Sequence, residues 1–177
     1  MATVPIDEEL ISVGEYLRTS YSPDREYVDG RVEERLWGEM DHSILQGYFL
    51  FLFHENRAAW GVEVFPSLRT QVSATRVRVP DVLVVRTGLR FERILDQPPL
   101  IVIEVLSPED DWGQIEEKAA DFLRFGAEHF WVFDPARRAV WSMDGDGLHR
   151  VTADALGVPG APISVVSSEV FAELDRG

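Results

Sequence analysis

Cysteine is absent from the sequence, which excludes disulfide bonds, thiolate metal ligands and cysteine nucleophiles. A metal ion would therefore be held by oxygen or imidazole, which favours a hard cation such as Mg²⁺, with Mn²⁺ as an alternative. The sequence also lacks any apolar run near the roughly 20 residues of a membrane helix, and its N-terminus has no basic segment followed by a hydrophobic one. We therefore expect a cytoplasmic protein that makes no membrane contact.

Positive charge is scarce, and lysine is the scarcest basic residue. The net charge of −14 argues against a general nucleic-acid coat, because phosphate binding depends on lysine and arginine releasing counterions, although a local basic patch could still serve. Lys118 is the only lysine among 17 basic residues. A lysine that stands alone reflects either a coding bias towards arginine or a chemical role.

The hydrophobic pattern predicts a single α/β domain of the α+β type. With 177 residues and 45% hydrophobic content, the chain can bury one core. Periodicity and capping signals predict helices at about 12–17, 41–60, 111–125 and 168–174. Strand signals cover 62–65, 67–72, 77–85, 100–106 and 130–133, and hairpins are predicted at 27–32 and 139–152.

Two carboxylates lie inside apolar strands. Glu104 interrupts the run 101–106, and Asp81 interrupts the run 79–85. An ionised carboxylate in such surroundings persists only if it is paired, hydrogen-bonded or coordinated to a metal, and otherwise its pKa rises. If the two strands are neighbours, both acids can share one divalent cation. Alternatively, each acid lies at a strand end and caps a turn or pairs with an arginine.

Lys118 lies roughly two turns into the helix that follows Glu104, so its amine can reach back over the end of that strand. A metal ion together with an ammonium group suits the cleavage of phosphodiester bonds. The cation lowers the pKa of a bound water and polarises the phosphoryl oxygen, while the lysine orients the nucleophile and offsets developing negative charge.

A series of short motifs follows in a recognisable order. In this sequence they are Glu26-Tyr27-Val28-Asp29-Gly30, His42, Pro80-Asp81, Glu104-Val105-Leu106-Ser107-Pro108, the spaced set Lys118, Phe122 and Gly126, and Trp131-Val132-Phe133-Asp134-Pro135. Their order and spacing resemble the Uma-two-like restriction endonuclease family of the PD-(D/E)XK nuclease superfamily. The resemblance covers most of the chain.

The resemblance implies a restriction-endonuclease-like fold, with a mixed central sheet flanked by helices, and a Mg²⁺-dependent DNA endonuclease activity. It implies that Asp81 and Glu104 bind the metal, that the main-chain carbonyl of Val105 adds a ligand, and that Lys118 positions the attacking water. In the superfamily pattern the lysine occupies the place of Leu106, so we interpret Lys118 as that lysine moved onto the helix.

Two further residues enter through the resemblance. Glu26 would complete the metal site from the first hairpin, or it would pair with Arg25 or Arg31 across the strands. His42 would assist a proton transfer or contact a phosphate, or it would be an N-terminal cap or a surface group. The sequence departs from the family pattern at three positions, where it has Gln114 for aspartate, Phe122 for tyrosine and His129 for glutamate.

An arginine-rich stretch is the best candidate for a phosphate-binding face. Its members are Arg69, Arg76, Arg78, Arg86, Arg90 and Arg93. The alternative is a set of solvated side chains on hairpin edges, which discourage edge pairing. We expect DNA as the partner and a homodimer or higher homo-oligomer, which suits an enzyme that cuts two strands. The rival hypotheses are a binding or assembly module that cleaves nothing, and a hydrolase of another phosphate ester.

Overall fold

The computed structural model describes residues 10–34, 39–90 and 93–176, which contain four α-helices and twelve β-strands. The helices are α1 (Val13–Arg18), α2 (Met40–Trp60), α3 (Trp112–Phe125) and α4 (Ser167–Ala172), and a 3-10 helix follows at Glu173–Asp175. The strands are β1 (Glu26–Val28), β2 (Arg31–Glu33), β3 (Val62–Pro66), β4 (Thr70–Ser73), β5 (Arg76–Arg78), β6 (Val82–Arg86), β7 (Ile101–Val105), β8 (His129–Asp134), β9 (Ala139–Asp144), β10 (Gly147–Val151), β11 (Ala155–Gly157) and β12 (Ser164–Val166).

A six-stranded mixed sheet in the order β10-β9-β8-β7-β6-β3 forms the centre of the fold. The strands β7 and β8 are parallel and are connected through α3, whereas the other neighbours are antiparallel. A second sheet has the order β2-β1-β5-β4, and β11 pairs with β12. This architecture confirms the predicted mixed sheet flanked by helices.

Helices cover both faces of the central sheet. On one face, Leu45, Phe49 and Phe53 of α2 pack against Ile101, Ile103 and Val105 of β7 and against α4. On the other face, Ile115, Ala119 and Phe122 of α3 pack against alternate residues, which include Leu83 of β6 and Val102 of β7. Because side chains alternate along a strand, Asp81 and Glu104 belong to the face that α3 covers.

Capping residues and turns define the ends of helices and hairpins as the sequence predicted. The Ser12 side chain accepts a hydrogen bond from the N–H of Glu15 at the start of α1, and Asp111 caps α3 through the N–H of Gln114. Gly126 ends α3 with a φ of 110°, a conformation that favours glycine. The first hairpin is confirmed between β1 and β2, and the second between β9 and β10.

The prediction of one strand over 77–85 is wrong. The segment is divided into β5 and β6, which belong to different sheets. Pro80 lies at the break and has no N–H to donate to a strand ladder, so the chain leaves one sheet and enters the other there. The division places Asp81 immediately before β6, at the boundary between the two sheets.

Two smaller differences concern the edges of the fold. The strand predicted from residue 67 begins only at Thr70, because Ser67 has a φ of 46° and turns the chain after β3. The hairpin of β11 and β12 was not predicted, since each strand has only three residues and little periodic pattern. None of the helices in the described part of the chain combines the length and apolar character needed to cross a membrane.

Candidate active site

The structure brings Asp81 and Glu104 together on neighbouring antiparallel strands. Val82 of β6 is paired with Ile103 of β7, so the two acids lie one step beyond that pair. The main-chain N–H of Val105 donates to Oδ2 of Asp81 over 2.9 Å. Both carboxylates are buried, with exposed fractions of 5% for Asp81 and 4% for Glu104. The predicted neighbourhood of the two strands is therefore confirmed.

Helix α2 holds Asp81 from the other side. His42 Nε2 lies 3.1 Å from Asp81 Oδ2, and Gln46 Nε2 donates to the main-chain oxygen of Asp81 over 2.8 Å. His42 and Gln46 are four residues apart, so they share one face of the helix. The N-cap of α2 is Glu39, which places His42 inside the helix and beside the acid rather than in the capping position. Sequence reasoning missed Gln46, whose only signal was its spacing from His42.

The amine of Lys118 lies among three oxygen atoms. Nζ is 2.9 Å from Glu104 Oε1 and 2.8 Å from Glu26 Oε1, and it donates to the carbonyl of Val79 over 3.0 Å. The side chain is buried on α3. The only lysine of the sequence is thus in contact with Glu104, as its spacing predicted.

Glu26 contacts the lysine and not the basic residues of its own hairpin. Oε1 accepts from the N–H of Val79 over 2.8 Å in addition to its contact with Lys118, and Oε2 lies 2.9 Å from Nη1 of Arg78. Arg25 contacts Glu34 instead. Both oxygens of Glu26 therefore have partners within the protein, and its part in the metal site stays a prediction.

The pKa values of the two acids that contact Lys118 are shifted in opposite directions. Burial raises the pKa of Glu104 to about 8. The nearby Lys118 lowers this pKa and offsets part of the rise, whereas the charge of Asp81 raises it further. Burial alone would also raise the pKa of Glu26, but Lys118 and Arg78 hold that pKa below its usual value. Glu104 Oε1 is buried, and its contact with Lys118 is an ion pair without good hydrogen-bond alignment. The ionised form of Glu104 is therefore disfavoured unless a further cation is bound.

The donor set suits a hard cation that keeps most of its water. In the residues that the structure describes, no group of three or more His, Asp or Glu side chains is arranged to hold a metal ion. Magnesium, however, commonly binds through one or two carboxylates and completes its shell with water and substrate phosphate. Asp81 and Glu104 supply that minimal pair, and a nearby cation would compensate the charge of Glu104. The carbonyl of Val105 stays a predicted ligand.

A cleft opens over these residues, and acids dominate its lining. Glu33, Glu34 and Asp110 line it together with His42, Gln114 and the residues described above. Asp110 accepts from the N–H of Ser107 over 2.6 Å, and burial raises its pKa, with Asp81 adding to the effect. Phosphate would enter an acidic environment there, so a bound cation would be needed to attract it.

Four of the six arginines predicted to bind phosphate, Arg69, Arg76, Arg78 and Arg86, are paired with acids of the protein itself. Arg69 pairs with Asp24 and lies 4.7 Å from the ring centre of Tyr16. Arg76 contacts Asp29, Glu117 and Asp121, and Arg78 contacts Glu26 and Asp121. The phosphate-binding face stays a prediction. The alternative of solvated side chains does not describe Arg78, which is buried.

The fold and the buried acids beside a lysine define a domain of the restriction-endonuclease-like class. Residues 13–157 match the family described as "Putative restriction endonuclease" (Uma2), and the chain belongs to that family. The resemblance noted from the motifs is thereby confirmed.

A solved structure has the same fold. The chain is similar to the crystal structure of "a putative nuclease belonging to DUF820 from Anabaena variabilis ATCC 29413", with a TM-score of 0.81 and 20% identity. The similarity covers 93% of this chain and 99% of the other. At that identity the likeness establishes a shared fold. No curated protein matches the sequence.

Proposed function

We propose that this protein is a Mg²⁺-dependent endonuclease that hydrolyses phosphodiester bonds in DNA, with Mn²⁺ as an alternative cation. The observation that carries the proposal is the contact of Lys118 Nζ with Glu104 Oε1 at 2.9 Å, on the strand next to Asp81. Asp81 and Glu104 would hold the cation, which when bound would lower the pKa of a water ligand and polarise a phosphoryl oxygen.

Lys118 orients the attacking water and offsets the negative charge that develops on the phosphate. Its ammonium group has three N–H donors. The ion pairs with Glu26 and Glu104 and the hydrogen bond to the Val79 carbonyl keep the amine in place. If Glu104 bound the cation, the N–H of Lys118 directed at Glu104 would become available for the water.

His42 and Gln46 orient the Asp81 carboxylate and its main chain from α2. His42 also lines the cleft, so it lies within reach of a phosphate that enters. We assign to His42 the orientation of Asp81, and a contact with phosphate as a second role. A catalytic carboxylate held from two sides keeps its geometry without reorganisation during the reaction.

Cleavage of supercoiled plasmid tests the proposal. Purified protein is incubated with plasmid in Mg²⁺, in Mn²⁺ and in EDTA, beside Asp81→Asn, Glu104→Gln and Lys118→Met. Arg57→Met serves as the control, because Arg57 is exposed on α2, contacts His54 and does not line the cleft. We expect metal-dependent nicked or linear product from wild type and control, and a loss of roughly 100-fold or more in the site variants. Equal cleavage by all proteins, cleavage in EDTA, or intact plasmid throughout contradicts the proposal.

The acidic lining of the cleft favours a second candidate, which is a nuclease-fold module for binding or assembly that cleaves nothing. Glu33, Glu34 and Asp110 would repel a phosphate backbone unless a cation is bound. Isothermal titration of Mg²⁺ and Mn²⁺ into wild type and Glu104→Gln separates the candidates when combined with the plasmid assay. Cation binding without cleavage of any DNA supports the module, and cation binding with cleavage supports the enzyme.

A further inference from the structure

Five charged side chains of alternating sign form a continuous chain behind the candidate active site. The order is Asp121, Arg78, Glu26, Lys118 and Glu104. Arg78 Nε donates to Asp121 Oδ2 over 2.8 Å, and Arg78 Nη1 lies 2.9 Å from Glu26 Oε2. The contacts of Lys118 with Glu26 and with Glu104 complete the chain. All five side chains are buried, so water screens these charges weakly.

The chain connects four separate elements of the fold. Asp121 and Lys118 are three residues apart on one face of α3, Arg78 comes from β5 and Glu26 from β1. Glu104 belongs to β7 in the central sheet. The position of the lysine amine is therefore fixed relative to both sheets and does not depend on α3 alone.

Arg78 is suited to this connection by the shape of its side chain. A guanidinium group is planar and can bind two carboxylates in different directions, which the single ammonium of a lysine does less well. Its exposed fraction is 3%, and Asp121 and Glu26 occupy two of its sides. Arg78 lines the cleft and lies 3.7 Å from Glu33 and from Glu117. Its shorter contacts are with the buried Asp121 and Glu26, and it holds the Glu26 oxygen that Lys118 does not contact.

We propose that Arg78 and Asp121 are positioning residues that act through Glu26 to hold the amine of Lys118 in place. Glu26 has one oxygen on Lys118 and on the N–H of Val79, and the other on Arg78. Loss of Arg78 removes the partner that fixes the rotation of this carboxylate, so Lys118 loses a defined contact. Loss of the charge on Asp121 weakens the hold on Arg78. Through Arg78 and Glu26, it therefore also weakens the hold on Lys118. The expected effect on catalysis rests on the proposed function, whereas the expected effect on the position of the Lys118 amine does not.

The uniqueness of Lys118 allows a direct test of its position. Protein labelled with ¹³C,¹⁵N-lysine contains one labelled residue, so its Cε and Nζ resonances report Lys118 alone. We compare wild type with Asp121→Asn and Arg78→Met. The matched control is Arg124→Met, because Arg124 contacts the same Asp121 at 2.5 Å but its side chain is 70% exposed. We expect the lysine resonances to move or broaden in the first two variants and to stay in place in the control.

Kinetics on plasmid DNA give the second readout. Asp121→Asn and Arg78→Met should lower kcat by roughly 10- to 100-fold, the range for residues that orient a functional group, with KM and Mg²⁺ affinity within about twofold of wild type. Arg78→Lys keeps the charge but not the planar fork, so its kcat should lie between those of Arg78→Met and wild type.

Each outcome of the two readouts decides the proposal. Unmoved lysine resonances in folded Asp121→Asn overturn it, and this variant decides if Arg78→Met does not fold. A raised KM with unchanged kcat in Arg78→Met also overturns it, because that pattern indicates a direct contact of Arg78 with substrate phosphate. If wild type cleaves no DNA, the proposed function fails, and the resonances still decide whether Arg78 and Asp121 position Lys118.

Discussion

Val105 donates its main-chain N–H to Oδ2 of Asp81, so the carboxylate that precedes β6 is fastened to the strand that carries Glu104. The same Oδ2 lies 3.1 Å from His42 Nε2. One oxygen of Asp81 thus serves as the anchor that fixes the carboxylate relative to both β7 and α2. This arrangement keeps the distance between the two acids constant, which a shared cation requires.

His42 is expected to matter for catalysis because it orients Asp81. His42→Ala should lower kcat by roughly 10- to 100-fold with little change in KM, the typical effect of losing a residue that orients a metal ligand. His54→Ala is the matched control, since His54 is exposed on the same helix and contacts Arg57. Plasmid cleavage at saturating Mg²⁺ measures both. Equal losses in the two variants would show that the effect is one of helix stability.

Gln46 should affect metal affinity and stability together. Its amide donates to the main-chain oxygen of Asp81, which also accepts from the N–H of Ser67. Gln46→Ala therefore removes one of two hydrogen bonds to that carbonyl and should cost about 0.5–1.5 kcal/mol of unfolding free energy. We also expect Mg²⁺ binding to weaken by roughly 10-fold, because the ligand loses its support. Urea unfolding and calorimetric titration measure the two effects. Gln97→Ala, at an exposed position, should change neither.

The site residues that could be predicted from the sequence are charged residues that stand out from their surroundings. Glu104 interrupts an apolar strand, and Lys118 is the only lysine, so each departs visibly from its surroundings. Their contact in the structure follows from the parallel crossover from β7 through α3 to β8, which places the start of the helix over the end of the strand. A buried charge is costly unless it is compensated, and this cost makes such residues recognisable.

The supporting contacts could not be predicted, because they join residues that are distant in sequence and leave no periodic pattern. Arg78 and Asp121 are 43 positions apart, and Gln46 is 35 positions from Asp81. The apolar pattern over 77–85 also concealed the break at Pro80, since β5 and β6 are each buried in their own sheet. Arg78 was therefore interpreted as a surface arginine, although it is buried.

The pKa of Glu104 predicts how stability depends on pH. The carboxyl has an ordinary pKa of 4.5 when unfolded and about 8 when folded, so the folded state binds more protons between these values. Its contribution is therefore largest below pH 4.5 and is lost as pH rises to 8. Wild type should lose stability relative to Glu104→Gln across this interval when no divalent cation is present. Parallel urea titrations at pH 5 and pH 8.5 measure the difference, and a constant difference would contradict it.

Mg²⁺ should reverse that loss. A cation at Asp81 and Glu104 favours the ionised carboxylates, so its stabilising effect should grow with pH. We expect Mg²⁺ to raise the Tm of wild type more at pH 8.5 than at pH 6, and to leave the Tm of Glu104→Gln nearly unchanged at both. A pH-independent rise in both proteins would indicate a non-specific effect of the salt.

Two glycines on the helices should respond in opposite directions to alanine. Gly126 ends α3 with a φ of 110°, and an added Cβ would lie 3.1 Å from Cγ of Pro98, so Gly126→Ala should cost about 1–3 kcal/mol of unfolding free energy. Gly47 lies exposed within α2, where a Cβ meets no atom within 4 Å. Gly47→Ala should therefore add about 0.5–1 kcal/mol, because alanine favours the helix. Chemical denaturation measures both changes, and destabilisation of similar size in the two variants would contradict the assigned backbone geometry.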